Sequence, residues 1–197
     1  MAISSLVTPN RSAISTTVSK PSAQRSTKEA ESGIHGWVPA TPGQSLFLMP
    51  GQWHFGSRVA SLRTLLGSCV AVTLWHPERH WGGMCHFLLP QRREPQPGQM
   101  DGRYGDEAIE LLVQSLKRAR TQPSEYIAHL YGGADTMPDQ TGVKLNVGER
   151  NIEMGWTLID KYGFQLDGVD VGDHVPRTVT LKLESGEVQV KRGSRHA

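Results

Sequence analysis

From residue 45 onward the chain reads as short apolar blocks separated by glycine, proline and charge, with two longer stretches of helical period. Residues 45–49 form an apolar block closed by Pro50-Gly51, which predicts a strand and a stop. Residues 58–66 predict a second strand. Residues 69–75 are rich in β-branched side chains and end at His76-Pro77. Residues 83–89 follow after the short polar link Pro77-Glu78-Arg79-His80 and stop at Pro90. Two apolar strands joined so tightly predict an antiparallel pair. Residues 91–101 are polar, with proline and glycine, and read as a loop. Over 104–120 the period changes: Ala108, Leu111, Leu112, Ser115, Leu116 and Ala119 share one side of a helix, which Pro123 ends. Residues 126–131 predict a strand running into Gly132-Gly133-Ala134, and residues 135–144 a loop. Asn146 is placed as the N-cap of a second helix reaching residue 162, with Ile152, Trp156, Leu158 and Ile159 inward and Gly163 at its end. Residues 164–171, 177–183 and 187–191 predict three more strands, the last two joined at Ser185-Gly186.

Strands outnumber helices and do not alternate strictly with them. The pattern therefore predicts an α+β fold: a mixed or antiparallel, sandwich-like sheet core with two main flanking helices.

Composition adds boundaries. The chain has 197 residues, enough for one domain with a real core. Residues 1–43 are rich in Ser, Thr, Pro and Ala and lack periodicity, which predicts a disordered tail. No acid precedes Glu29, whereas Arg11, Lys20, Arg25 and Lys28 do, which mimics a transit peptide; no apolar core of a secretion signal is present. Residues 44–192 are then the folded domain, and 193–197 a short basic tail. Lys and Arg total 21 against 19 Asp and Glu, a balance that points to neither nucleic acid nor an anionic membrane as partner. No apolar run approaches the roughly 20 residues of a membrane span. Two cysteines are too few for a disulfide scaffold and suit a reducing, cytoplasmic setting.

The candidate chemistry sits in two answering segments. Thr64-Leu65-Leu66-Gly67-Ser68-Cys69 places a thiol behind a Gly-Ser pair at the mouth of a strand. Gly82-Gly83-Met84-Cys85-His86-Phe87 places an imidazole in the next strand. A thiol near its ordinary pKa of about 8.5 is only a few per cent thiolate at neutral pH, so a basic partner is required. His86 is that candidate. Cys85 is adjacent to His86 and so points to the opposite face of its strand. The N–H groups near Gly67 and Ser68 can face a developing oxyanion. Orientation of the imidazole falls to a third group, with Thr64 or Ser68 as nearby hydroxyls and Asp135, Asp170 and Asp173 as loop carboxylates. The bland alternative is a buried cysteine and a satisfied core histidine. A zinc site lacks a C-x-x-C pair and a fourth ligand, and the Gly132-Gly133 and Gly172-Asp173 turns match no phosphate-binding pattern, so neither metal nor cofactor is expected.

These segments also resemble a known family. T-L-L-G-S-C-V-A-V followed by G-G-M-x-H-F-x-L-P is similar to the CheD chemoreceptor glutamine deamidases. The likeness continues through Arg103-Tyr104-Gly105-Asp106, Tyr131-Gly132-Gly133-Ala134, Val147-Gly148-Glu149-Arg150-Asn151, Asp170-Val171-Gly172 and Arg177. It implies an α/β sandwich similar to deamidating toxins and a Cys-His-Thr site at Cys69, His86 and Thr64. The implied activity is hydrolysis of glutamine side-chain amides on chemoreceptors through a cysteine thioester. The same pair could instead pass the acyl group to an amine, as a transglutaminase does, or the chain could act as a binding module. The resemblance further implies a CheC-type phosphatase as a partner. One departure is Asp173, which follows Gly172 where a second glycine is common.

Overall fold

The structure is a computed structural model that describes residues 36–94, 96–135 and 147–194. Most of the expected tail, the residue placed as N-cap (Asn146), most of the 135–144 loop and the last three residues lie outside the described residues. From Gly36 the chain already pairs with the domain. Trp53 N–H donates to the Gly36 carbonyl (3.1 Å) and Val38 N–H donates to the Trp53 carbonyl (2.9 Å).

Nine strands form two sheets among the described residues. The elements are β1 (Ser45–Phe47), β2 (Trp53–Gly56), β3 (Ser61–Leu66), β4 (Val70–His76), β5 (Trp81–Phe87), α1 (Gly105–Arg118), β6 (Ile127–Gly132), α2 (Val147–Tyr162), β7 (Gln165–Val171), β8 (Arg177–Lys182) and β9 (Val188–Arg192). One sheet has the order β1-β3-β8-β9 and the other β2-β5-β4-β6-β7. The β4–β5 and β4–β6 pairs are antiparallel, whereas β6 and β7 are parallel. A parallel pair needs a crossover, and α2 supplies it. The fold is mixed α+β with two helices, as the strand and helix pattern predicts. The pattern did not mark β2; its Trp-His-Phe-Gly run is too short to show a period.

The five-stranded sheet is the middle layer. Val70, Val72, Leu74, Cys85, Phe87 and Leu130 face the helices, packing with Ile109, Leu112, Leu116 and Ile159. Ala71, Met84 and Tyr131 face the other sheet, packing with Leu46, Leu62, Leu66, Val179 and Leu181. Burial on both faces explains why β4 and β5 read as unbroken apolar runs. The outer sheet has one wetter face, so β3 alternates buried with exposed or half-buried positions and β8 buried with half-buried ones.

One inward assignment is corrected. Trp156 is 42 % exposed. The buried stripe of α2 is Gly148, Asn151, Gly155, Leu158 and Ile159. It is made of small and polar residues where the helix presses on the sheet; a Cβ at Gly155 would sit 2.5 Å from a Leu130 methyl. Small residues allow that approach, and they hide the stripe from a search for apolar periodicity.

The far ends of β6 and β7 are tied by Arg177, whose side chain is fully buried. Its guanidinium donates to the carbonyls of Gly132 (3.0 Å), Asp170 (2.6 Å) and Gly172 (2.6 Å). Beside it, Gly172 and Asp173 both take left-handed backbone, φ 72° and 66°. Two such residues in succession account for a glycine preference here; Asp is among the few other types that tolerate the region. Among the described residues no helix is long and apolar enough to cross a membrane.

Removing Arg177 takes the donor from three carbonyls, that of Gly132 buried and those of Asp170 and Gly172 partly buried. Arg177→Met is expected to cost on the order of 3 kcal/mol in urea unfolding, because each hydrogen bond to a buried charge is worth about 1.5–3 kcal/mol. Arg192, whose side chain is 52 % exposed, pairs with Asp170 at 2.6 Å. Arg192→Met is expected to change the urea midpoint far less than Arg177→Met, because an exposed ion pair is screened by water.

Candidate active site

Cys69 is the residue immediately before β4, at the end of the turn that leaves β3. His86 is the penultimate residue of β5. Register decides their relation: Ala71 of β4 lies directly opposite His86, and the last ladder pair is Val70 with Phe87. Cys69 is two residues from Ala71 and packs, like Ala71, into the space between the two sheets. The thiol and the imidazole therefore lie on one face, with Cys69 one residue beyond the last ladder pair. Cys85 points the other way, into the core beneath the helices. Its burial pushes the thiol up to about 12. Cys69 is only partly buried, so a molecule outside can reach it.

The imidazole is held from the other sheet. Thr64 Oγ1 lies 2.7 Å from His86 Nδ1 and 2.7 Å from the Leu48 carbonyl. Thr64 has one hydroxyl proton, and the carbonyl can only accept, so the hydroxyl donates to Leu48. His86 Nδ1 must then carry the hydrogen and donate to Thr64 Oγ1. This assignment, made from the network, leaves Nε2 unprotonated. Nε2 is buried and has no hydrogen-bond partner among the described residues. His86 is 1 % exposed, and that burial lowers its pKa to about 4, opposed by the Leu48 carbonyl. Burial also pushes the Cys69 thiol up. Both shifts favour the neutral forms, so the resting pair is a thiol beside a neutral imidazole.

A second histidine shows what is particular to His86. Thr73 Oγ1 lies 3.1 Å from His129 Nδ1 on the same sheet. The other nitrogen of His129, however, faces the Asp167 carboxylate at 3.5 Å. His129 has both ends occupied, whereas His86 Nε2 has no hydrogen-bond partner among the described residues.

The turn carrying Cys69 is fastened by its carbonyls. The Gly67 carbonyl accepts from Ala134 N–H (2.8 Å), and the Cys69 carbonyl accepts from Gly133 N–H (2.8 Å). The Ser68 carbonyl accepts from the side-chain amide of Asn151 (3.2 Å). Gly132 and Gly133 take φ 108° and 68°. A Cβ at Gly132 would fall 2.2 Å from the Cys69 carbonyl oxygen, so this turn needs glycine. By contrast Gly83 makes room for the His54 carbonyl of β2 and for Phe55 and Leu112, which lie 2.9, 3.0 and 3.1 Å from where its Cβ would be. Of the loop acids weighed as orienting groups, Asp170 pairs with Arg177 and Arg192, and Asp135 lends its carbonyl to His174 and its N–H to the Asp173 carbonyl. Of the two hydroxyls, the structure brings Thr64 to the imidazole, while Ser68 is exposed. No cluster of three or more His, Cys, Asp or Glu able to hold a metal occurs among the described residues. The residue that sequence reasoning passed over is Asn151. Its signals were its place at the end of Val147-Gly148-Glu149-Arg150-Asn151 and a polar side chain in step with Gly148 and Gly155 along one face of α2.

Comparison with known proteins completes the picture. Residues 88–192 match the family model described as "CheD chemotactic sensory transduction". The chain is 42 % identical over 153 residues to the probable chemoreceptor glutamine deamidase CheD 3 of Dechloromonas aromatica, covering 77 % of this chain and 90 % of that one. It is 43 % identical over 148 residues to the probable chemoreceptor glutamine deamidase CheD of Pseudomonas syringae pv. tomato, covering 74 % and 88 %. Stretches of that length necessarily include Thr64, Cys69 and His86, which the family-model match leaves out. Among solved structures, the hypothetical protein YfiH of Bacillus licheniformis matches with TM-score 0.37 and 12 % identity over 70 % of this chain and 64 % of that one, a likeness too loose to assign fold or function. Relatives of such identity along three quarters of the chain, with the family model across more than half of it, establish that the chain belongs to the CheD family.

Proposed function

We propose that this chain hydrolyses glutamine side-chain amides of chemoreceptors to glutamate, with Cys69 as nucleophile, His86 as acid and base, and Thr64 as the group that orients His86. The substrate class comes from the names its relatives carry. The observation that supports the residue roles is the state of His86: one nitrogen committed to the Thr64–Leu48 pair, the other a buried, unpartnered base on the Cys69 face.

The steps follow from a neutral resting pair. As the Cys69 sulfur attacks the amide carbon, His86 Nε2 takes the thiol proton. The charge gathers on the amide oxygen, for which the backbone N–H groups of the turn from Gly67 through Ser68 to Cys69 serve as donors. The imidazolium formed is supported through Nδ1–H by Thr64 and the Leu48 carbonyl. The C–N bond breaks, His86 returns its proton to the leaving nitrogen, and ammonia departs. A thioester remains. Water then adds to it, giving its proton to His86. The C–S bond breaks, and the sulfur recovers the proton. The net change is amide plus water to acid plus ammonia, with each site one negative charge richer.

Incubation with a receptor signalling fragment and mass spectrometry tests this reading. A gain of roughly one dalton per converted amide is expected, by way of the covalent intermediate. Added primary amine should leave glutamate as the product. Cys69→Ala and His86→Ala should abolish the gain, and Cys85→Ala should retain it. An unchanged gain with Cys69→Ala overturns the reading. Thr64→Val should lower kcat by roughly tenfold, because the imidazole loses the hydroxyl that fixes its Nδ1.

Burial also sets a pH profile. With its pKa lowered from 6.5 to about 4, His86 stays an unprotonated base through the neutral range. The acid limb of kcat/KM is therefore expected near pH 4. The unfolded chain binds a proton between those values that the folded chain does not. The stabilisation from a neutral His86 is thus complete above pH 6.5 and is lost as pH falls to about 4. A limb near 6.5 would show an imidazole open to water.

A further inference from the structure

We infer that Asn151 is the positioning residue that sets the spacing between Cys69 and His86; the inference rests on the catalytic reading of that pair. The need for such a residue follows from where the ladder stops. β4 and β5 are paired residue by residue up to Val70 with Phe87. Cys69 and Leu88 lie beyond that last pair, where the two strands fork. The thiol therefore sits just outside the region in which backbone hydrogen bonds would fix its distance from His86.

Asn151 closes the fork. It projects from the first turns of α2, with its side chain fully buried. Its amide nitrogen donates to the Ser68 carbonyl at 3.2 Å and to the Leu88 carbonyl at 2.8 Å. Both partners are carbonyls, so the NH2 group must face them. One planar group thus spans the residue before Cys69 and the residue two beyond His86. Each arm is rigid behind it. Leu88 N–H donates to the Arg103 carbonyl at 2.9 Å, and the Cys69 carbonyl accepts from Gly133. Of the three turn carbonyls, only Ser68's is held by a side chain, so one substitution releases it without altering the glycine turn.

The amide is kept at a cost. Asn151 Oδ1 is buried without a partner among the described residues, and such an atom is destabilising. Stability alone would favour an apolar residue on this stripe. The double donor is what an apolar side chain cannot supply.

The test uses the full chain with Asn151→Leu, which keeps bulk and removes both donors. If that variant does not fold, Asn151→Ser, which can reach only one carbonyl, takes its place. Three readouts are compared: thermal unfolding, receptor deamidation kinetics, and alkylation of Cys69 by iodoacetamide with and without His86→Ala. The folded variant is expected to lose roughly 10- to 100-fold in kcat, as displaced reacting groups do, with KM for the receptor within about twofold. His86→Ala should slow alkylation in the parent chain but add nothing in the Asn151→Leu background, a coupling that loss of stability alone would not produce. A kcat within about threefold of the parent, or additive effects on alkylation, overturns the inference. If His86→Ala leaves alkylation of the parent unchanged, the Cys–His reading itself falls, and the positioning role falls with it.

Discussion

The imidazole of His86 lies between two sheets and is satisfied on one side only. That asymmetry governs the site. A histidine with both nitrogens bonded is structural, as His129 is between Thr73 and Asp167. A histidine with neither held would be free to turn. His86 is fixed through Nδ1 by a hydroxyl that is itself fixed by a carbonyl, which leaves Nε2 as a lone pair in a dry setting. The chain Leu48–Thr64–His86 crosses from the outer sheet to the middle one, so the packing of the two sheets is also what orients the base.

The same burial sets the chemistry of the pair. Desolvation lowers the imidazole and raises the thiol. An ion pair at rest is disfavoured, and the proposed mechanism accordingly couples proton transfer to attack on the substrate. Hydrogen bonds aimed at the turn carbonyls complete the arrangement. They come from Gly133, Ala134 and Asn151, three residues far from Cys69 in sequence and drawn from the β6 exit and α2. Arg177 braces the β6 exit from below through the Gly132 carbonyl. Its buried charge thus supports the floor on which the Cys69 turn rests.

Much of this architecture is written in local pattern. The β4–β5 hairpin could be read from two apolar runs and a four-residue link, and the end of α2 from Gly163, which adopts φ 73°. Thr64, Cys69 and His86 stood out because small residues frame the thiol and a strand delivers the imidazole. The pattern misled where burial was achieved by small residues. Trp156 has the apolar character of a core residue, yet the sheet receives Gly155 and Asn151 instead, because close backbone approach demanded the absence of a large side chain.

The residue order alone therefore determined the α+β class, most strand positions, and the side-chain types able to form a thiol–imidazole site. Alternation and glycine placement act over a few neighbours, so a linear reading captures them. Tertiary structure decided which hydroxyl meets His86, which nitrogen of His86 stays open, and that Asn151 bridges the fork between β4 and β5. Each of those depends on strand register or on a contact between distant segments: 22 residues separate Thr64 from His86, and 83 separate Ser68 from Asn151. Hydrogen bonding is directional over about 3 Å, and only the folded chain brings such groups within that range.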